Sequence, residues 1–205
     1  MRTVWGYDVD GILSPIILPE TFHYMTNNAY VGNNHVEAAL EAASQAIRNY
    51  CGWHVCPAED CTANPVGGAM IAKLPAGYVS AITSITENGV TLAADDYQWR
   101  KDGLIRKKCQ RWSDDWDAIE VSYTAGYSED AVPDLKEAVC SIASGVLAVA
   151  AGVLSESADG VSISYQASAS SVAASLTSQM KSALEPYRVV SSHAAWFYEG
   201  ERDEI

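Results

Sequence analysis

The feature that most constrains the fold of this chain is a long interruption between two helical segments. An amphipathic helix is predicted from about Asn34 to Tyr50, and the next helix is predicted to begin only at Pro133. The roughly eighty residues between them are typical of short strands and tight turns. The sequence therefore predicts an α+β fold in which a β segment interrupts a helical body.

The first helix has sequence signals at both ends. Asn34 is predicted to be its N-cap, and Glu37 three residues later gives a variant of the capping box. Gly52 can adopt the left-handed conformation that ends a helix. Apolar residues recur at spacings of three and four and predict one buried face, formed by Val36, Ala39, Leu40, Ala43, Ala46, Ile47 and Tyr50.

Residues 65–128 are predicted to form an inserted antiparallel β-domain of about five strands, after a loop at 54–68. Asn88-Gly89 is a strong hairpin signal, because a type I′ turn needs two residues that tolerate positive φ. Further strand patterns lie at 70–74, 78–86, 97–100, 104–106 and 119–123.

The helical body is predicted to comprise residues 33–57 and 131–187, in a bundle of about three helices. Pro133 suits the first position of the second helix. A polar link at 155–160 and a short strand at 161–165 are predicted to follow. Ser170 or Ser171 is predicted to cap the third helix, which should end at Pro186.

Both ends of the chain are predicted to be extended arms. Residues 1–32 hold apolar residues between Gly and Pro and are predicted to be poorly helical, lying against the body or against a neighbouring subunit. Residues 188–205 carry three consecutive aromatic residues, which suit docking to a partner or packing back onto the same subunit. The residues predicted to contact a neighbouring subunit are Ile12, Leu13, Ile16, Ile17 and Leu18. The residues predicted to dock on a partner are Trp196, Phe197 and Tyr198.

The formal net charge of −13 argues against a protein that clamps DNA or RNA, because phosphate neutralisation needs dense Lys and Arg. The negative charge is compatible with a channel through which DNA slides. An acidic surface can equally be present only because it keeps a protein soluble. The chain holds no stretch of 18 apolar residues, and its first residues do not resemble a secretion signal, which predicts a cytoplasmic protein with no membrane contact.

The segment Asp8-Val9-Asp10-Gly11 resembles the first motif of haloacid-dehalogenase-type phosphatases, in which the first Asp attacks phosphorus beside Mg²⁺. That chemistry needs a carboxylate at the end of a buried parallel strand. Residues 3–7 make a poor core strand, and Ile12 stands where the motif has Thr. We therefore interpret Asp8 and Asp10 as part of a turn in the arm, with a metal-dependent phosphatase as the weaker alternative.

Other chemistry-bearing patterns are weak. Cys51, His54, Cys56 and Cys61 do not have the two close ligand pairs of a zinc site, and buried thiols are the simpler interpretation. No phosphate-binding Gly-rich loop or Ser-nucleophile elbow is present. The basic run Arg106-Lys107-Lys108 is interpreted as an exposed hairpin end, with nucleic-acid contact as the alternative. The sequence therefore predicts neither an enzyme nor a cofactor or metal site.

Taken together, the chain resembles the head–tail connector (adaptor) proteins of tailed bacteriophages with long non-contractile tails. The resemblance covers about residues 5–190 and follows the order of the family's stretches. The first stretch is the end of a helix at 46–55, followed by Pro57, and the second is the β segment from Leu74-Pro75 to Gly103. The third comprises residues 120–127 and 132–136. The fourth is 159–165, which precedes a helix that ends at 184–187.

The resemblance implies a structural virion protein without catalytic activity. It implies a ring, usually of twelve subunits, under the portal protein, through which DNA passes without specific binding. The portal and a stopper or tail-completion protein are the implied partners, and the implied location is the virion neck after assembly in the host cytoplasm. The alternatives are another neck or tail-completion protein, or a binding module.

Overall fold

The computed structural model describes residues 2–150, 155–158, 161–164 and 176–189. These residues form helices and antiparallel sheets, so the predicted α+β class is confirmed. The described part of the chain contains four α-helices: α1 is Pro19–Met25, α2 is Val36–Cys51, α3 is Pro133–Ala150 and α4 is Ser178–Leu184. None of these described helices combines the length and the apolar character that a bilayer span requires.

The larger sheet has five strands in the order β1-β2-β8-β4-β5, and all of its neighbouring strands are antiparallel. Its central strand, β8, pairs with both β2 and β4. The strand bounds are β1 Asp8–Val9, β2 Glu59–Ala63, β4 Val79–Glu87, β5 Val90–Thr91 and β8 Ile119–Ala125.

A second sheet has three antiparallel strands in the order β3-β7-β6, with β3 at Ile71–Lys73, β6 at Tyr97–Trp99 and β7 at Leu104–Lys107. A separate antiparallel pair follows α3 and consists of β9, Ser155–Ala158, and β10, Val161–Ser164. The segment predicted to form the inserted β-domain, residues 65–128, contains six of these strands, close to the predicted number of about five. Strands β1, β2 and β9 come from segments predicted to be arm, loop or link.

Several local signals are confirmed. Gly52 ends α2 with a φ of +79°, and its N–H donates to the carbonyl oxygen of Arg48. Asn88 and Gly89 both have positive φ, +52° and +77°, and join β4 to β5 as a tight hairpin. Pro133 starts α3. Each of these signals is set by the backbone preference of one or two residues, so neighbouring structure does not override it.

The predicted extended conformation of the N-terminal arm is wrong for residues 19–25, which form α1. Pro19 is one of the Pro residues that made this arm look poorly helical, but it occupies the start of α1, where its missing N–H has no cost. The predicted loop at 54–68 is also wrong in part, because β2 lies within it and pairs with β8. The strand begins with two acidic residues, Glu59 and Asp60, so the alternation of buried and exposed side chains that buries Cys61 and Ala63 was not recognised.

Three boundaries differ from the predictions. The N-cap of α2 is His35 and not Asn34, because Asn33 Oδ1 accepts a hydrogen bond from the His35 N–H in a turn before the helix. Residues 155–158, predicted to be a polar link, pair with β10. Helix α4 begins at Ser178, where the Thr177 hydroxyl accepts a hydrogen bond from the Met180 N–H, while Ser170 and Ser171 lie outside the described residues.

Buried apolar residues from the helices and from both larger sheets form one continuous cluster. Trp53, directly after α2, is fully buried and donates a hydrogen bond from its indole N–H to the Tyr187 carbonyl oxygen, at 2.6 Å. The Val189 N–H donates to the Cys51 carbonyl oxygen, so the chain returns to the end of α2 after α4. The ends of α2 and of the described C-terminal segment are thus held together.

Candidate interaction surfaces

The apolar arm residues divide into a buried and an exposed group. Ile16 and Ile17 lie in the core of this subunit, and the Ile16 N–H donates to the Ser44 hydroxyl on α2. Leu13 is partly buried against the same core. Ile12 is 89% exposed and Leu18 is 50% exposed. Only the second group presents substantial apolar area to a neighbouring molecule.

The candidate docking residues Trp196, Phe197 and Tyr198 lie outside the described residues. The described chain ends at Val189, beside the C-terminal end of α2.

A buried polar network fixes the arm to the body. The Arg48 guanidinium donates hydrogen bonds to the carbonyl oxygens of Ser14 and Cys56, each at 2.6 Å, and of His54, at 3.0 Å. Burial lowers the pKa of Arg48 to about 10, which leaves the side chain charged at neutral pH. One cation thus binds the arm, the end of α2 and the segment that leads into β2.

His54 connects the same region to the large sheet. Its Nε2 lies 2.9 Å from the Ala125 carbonyl oxygen, which can only accept, so Nε2 carries the proton. Its Nδ1 therefore accepts from the Tyr7 hydroxyl at 2.7 Å, and that hydroxyl accepts from the His54 N–H. Burial lowers the pKa of His54 to about 4, so the ring is neutral at physiological pH.

Gly126 makes room for this arrangement. It has a φ of +107°, and a Cβ at this position would collide with the Pro57 carbonyl oxygen and lie 2.9 Å from His54 Nε2. A side chain here would push apart the contact between β8 and the segment after α2. The close approach explains why glycine occupies this position.

The residues weighed as zinc ligands have other roles. Both ring nitrogens of His54 are engaged in the network, and burial raises the pKa of the Cys51, Cys56 and Cys61 thiols to about 12, 11 and 12. Thiols with such pKa values stay protonated and bind metals poorly. Among the described residues, no group of three or more His, Cys, Asp or Glu side chains is arranged to hold a metal ion.

The two carboxylates of the phosphatase-like segment do not have the setting that this chemistry needs. Asp8 lies on β1, which is an edge strand of an antiparallel sheet, and both Asp8 and Asp10 are exposed. The Asp10 N–H donates to the Asp60 carbonyl oxygen, which extends the pairing of the arm with β2. The segment is a strand and turn at the sheet edge, in agreement with the preferred interpretation.

An open groove of about 660 Å³ lies between α1 and α3. Tyr24 and Met25 of α1 form one wall, and Pro133, Lys136 and Cys140 of α3 contribute to the other. Tyr24 is 85% exposed. The groove is shallow and mixed in polarity, and it does not have the enclosed apolar character of a small-molecule site.

The basic run separates into side chains with different environments. Lys107 forms an ion pair with Glu87 and its ammonium lies 5.6 Å from the centroid of the buried Trp112 ring. Arg106, Lys108 and Arg111 are exposed. Strand alternation turns Arg106 away from Lys107, so Arg106 lies on the opposite face of the small sheet.

The most exposed aromatic side chain among the described residues was not singled out by the sequence analysis. Trp116 is 89% exposed and lies in the loop between β7 and β8, with Asp114, Asp115 and Asp117 around it. A tryptophan inside a run of three Asp residues is a poor candidate for a core position, so the composition of this loop was the available signal. The Arg48 and His54 network gave no comparable signal, because its partners are distant in sequence.

Comparisons with known proteins give one family match and two similar folds. A family model described as head completion protein matches residues 18–190. Similar folds occur in a chain from the neck of a native GTA particle computed with C12 symmetry, at a TM-score of 0.57, and in a chain from the neck of an empty GTA particle computed with C6 symmetry, at 0.58. Each alignment covers 90% of this chain and 96% of the other, at 16% identity. No curated protein matches this chain.

Proposed function

The chain belongs to the head completion protein family, and we propose that it is a structural neck protein that forms a ring under the portal. In this role it joins the DNA-filled head to the tail and lines the channel through which DNA passes. The observation that carries the proposal is the family match over residues 18–190. The proposal places the protein in the virion neck, after synthesis and assembly in the host cytoplasm.

The fold likeness supports the ring. The two similar chains come from particle necks computed with C12 and C6 symmetry, and a ring of twelve copies is compatible with both. The net charge of −13 per subunit also suits the proposal, because a ring of such subunits gives an acidic conduit. An acidic wall repels DNA and lets it slide without specific binding.

The proposal assigns no catalytic step to this protein. Asp8 and Asp10, the candidates for phosphatase chemistry, lie at an exposed sheet edge, and His54 and the buried cysteines belong to a packing network. The shifted pKa values of His54 and of Cys51, Cys56 and Cys61 therefore have a structural explanation in burial.

The test of the ring is assembly with the cognate portal protein. We expect mass photometry of the mixture to show a complex heavier than the portal by about twelve times 22.0 kDa, and negative-stain images to show a second ring on one face of the portal. Portal particles of unchanged mass, with a protein that stays monomeric, would contradict the proposal.

We further propose that the C-terminal tail docks on the portal through Trp196, Phe197 and Tyr198. Aromatic residues are favoured anchors in protein interfaces. Deletion of residues 191–205 leaves Val189 and its hydrogen bond to Cys51 in place, so we expect the urea midpoint of unfolding to stay unchanged while portal binding weakens at least about tenfold. Portal binding at the wild-type affinity would show that these aromatics are not the anchor.

A further inference from the structure

The small sheet has an outer face that is basic and partly apolar. Ile71, Arg106 and Gln98 are paired across its three strands, so their side chains share one face, and all three are exposed. Arg100, which forms an ion pair with Asp102, and Lys108, two residues after Arg106, add charge beside them. We name Ile71, Arg100, Arg106 and Lys108 the basic face.

This face is unusual for the molecule. Seven of the 13 Lys and Arg residues lie between Lys73 and Arg111, in a chain with 26 Asp and Glu residues. Basic side chains are thus concentrated on and around the small sheet. A surface of this kind is complementary to an acidic partner that also offers an apolar side chain.

The loop Ser113–Asp117 has the opposite chemistry, and we name it the acidic loop. Trp116 is 89% exposed there and Asp114, Asp115 and Asp117 surround it. An exposed tryptophan is the side chain that most often anchors a protein interface. Three carboxylates beside it favour a basic surface and disfavour nucleic acid or an anionic membrane.

The acidic loop is held in place by the sheets. The Ser113 N–H donates to the Glu87 carboxylate at 2.8 Å, and the Asn88 N–H donates to the Ala118 carbonyl oxygen at 2.8 Å. Within the loop, the Ser113 hydroxyl donates to the Asp115 carboxylate and accepts from the Asp115 N–H. A loop that is already ordered loses less conformational entropy on binding.

The two surfaces point in different directions. Lys107 contacts Glu87 and Trp112, and Glu87 in turn holds Ser113, so Lys107 lies on the acidic-loop side of the small sheet. Arg106 is the next residue toward the N-terminus on the same strand and therefore faces the other way. One subunit consequently presents the acidic loop and the basic face on opposite sides of β7.

A closed ring of more than two identical subunits needs such a pair of surfaces. Each contact in the ring joins one patch of a subunit to a different, complementary patch of its neighbour. We propose that the acidic loop of one copy docks on the basic face of the next copy, with Trp116 packed near Ile71 and the Asp side chains beside Arg106 and Lys108. This inference rests on the proposed ring and names an interface within it.

The test uses two variants with reversed charge, each studied with the cognate portal. The loop variant carries Asp114→Lys, Asp115→Lys and Asp117→Asn, so that two positive charges replace three negative ones. Asn is used at position 117 because it tolerates the φ of +56° there. The face variant carries Arg106→Glu and Lys108→Glu. A control variant, Glu120→Lys, changes the charge of an exposed residue on β8, outside both surfaces.

For each reversed variant alone, the concentration needed for ring assembly should rise at least about tenfold, because the loop of one copy then carries the same charge as the face of the next copy. An equal mixture of the two should restore assembly, since every contact in an alternating ring again joins opposite charges. The control variant should assemble like the wild type, and Trp116→Ala should weaken assembly without changing the urea midpoint of unfolding.

Three results would overturn the interface. Ring assembly by each reversed variant at the wild-type concentration would show that these surfaces are not in contact. Failure of the mixture, with both variants folded as judged by their urea midpoints, would show that the two surfaces do not face each other. Normal rings that no longer bind the portal or the next tail component would assign the acidic loop to that partner. If the wild type itself forms no ring, the proposed function fails instead.

Discussion

Arg48 and His54 hold together three segments that are far apart in sequence. Through their hydrogen bonds, the arm residues Tyr7 and Ser14, the end of α2 and the end of β8 meet. Tyr7, Arg48 and His54 are buried there, while Ser14 lies at the exposed margin. Buried polar groups of this kind stabilise a fold only when their partners are present. The network therefore ties the placement of the arm to the integrity of the body.

The neutral state of His54 predicts a pH dependence of stability. Unfolded His54 takes up a proton near pH 6.5, whereas the folded residue does so only near pH 4. Between these values the unfolded state binds more protons, so the stabilisation is complete above about pH 6.5 and is lost as the pH falls toward 4. We expect this residue to lower the free energy of unfolding by about 2 kcal/mol between pH 7 and pH 4.5.

The measurement is urea unfolding at both pH values for the wild type, His54→Gln and His35→Gln. His54→Gln should lose about 2 kcal/mol less than the wild type over this interval. His35 is exposed, so His35→Gln should follow the wild type. An identical pH dependence in the wild type and in His54→Gln would show that the residue does not titrate as the structure indicates.

Local signals made some elements predictable, and tertiary pairing made others unpredictable. The end of α2, the hairpin at Asn88 and the start of α3 depend on single Gly, Asn and Pro residues. The short strand β1 pairs with β2, and β2 pairs with β8, while the sequences of β1 and β2 have little strand character of their own. The Arg48 and His54 network could not be predicted for the same reason.

At the scale of the arm, we propose that Ile12 and Leu18 contact a neighbouring subunit, while Ile16 and Ile17 hold the arm to its own body. Ile12→Ser should change the free energy of unfolding by less than about 0.5 kcal/mol but weaken ring assembly, because Ile12 is 89% exposed. Ile17→Ser should lower the free energy of unfolding by about 3 kcal/mol or more, because this side chain is fully buried.

Urea unfolding of the isolated protein and ring assembly on the portal separate these two effects. Both variants are single substitutions of isoleucine in the same arm, so each serves as the control for the other. Ring assembly by Ile12→Ser at the wild-type concentration would remove Ile12 from the subunit interface.

For the whole molecule, the charge distribution is compatible with the proposed ring. The chain belongs to the head completion protein family and shares its fold with chains of particle necks. Its net charge is strongly negative, while its basic residues concentrate around the small sheet. If the basic face lies between subunits of the ring, the surface that lines the channel is mainly acidic.

The order of stretches along the chain was enough to identify the family from the sequence, even though strands β1, β2 and β9 were not predicted. Family resemblance depends on the succession of helix end, hairpin and following helix, which local signals encode. The surfaces that meet other molecules depend on which side chains stay exposed after folding. The sequence contains the basic run at 106–108 and the three Asp residues around Trp116, but only the folded structure shows which of these side chains share one surface.

The most direct test of the ring is a cryo-electron microscopy reconstruction of the complex between this protein and its portal, calculated without imposed symmetry. We predict a closed ring of twelve copies around an axial channel on one face of the portal. Copies bound singly at the portal periphery, or a portal without added density, would contradict the account.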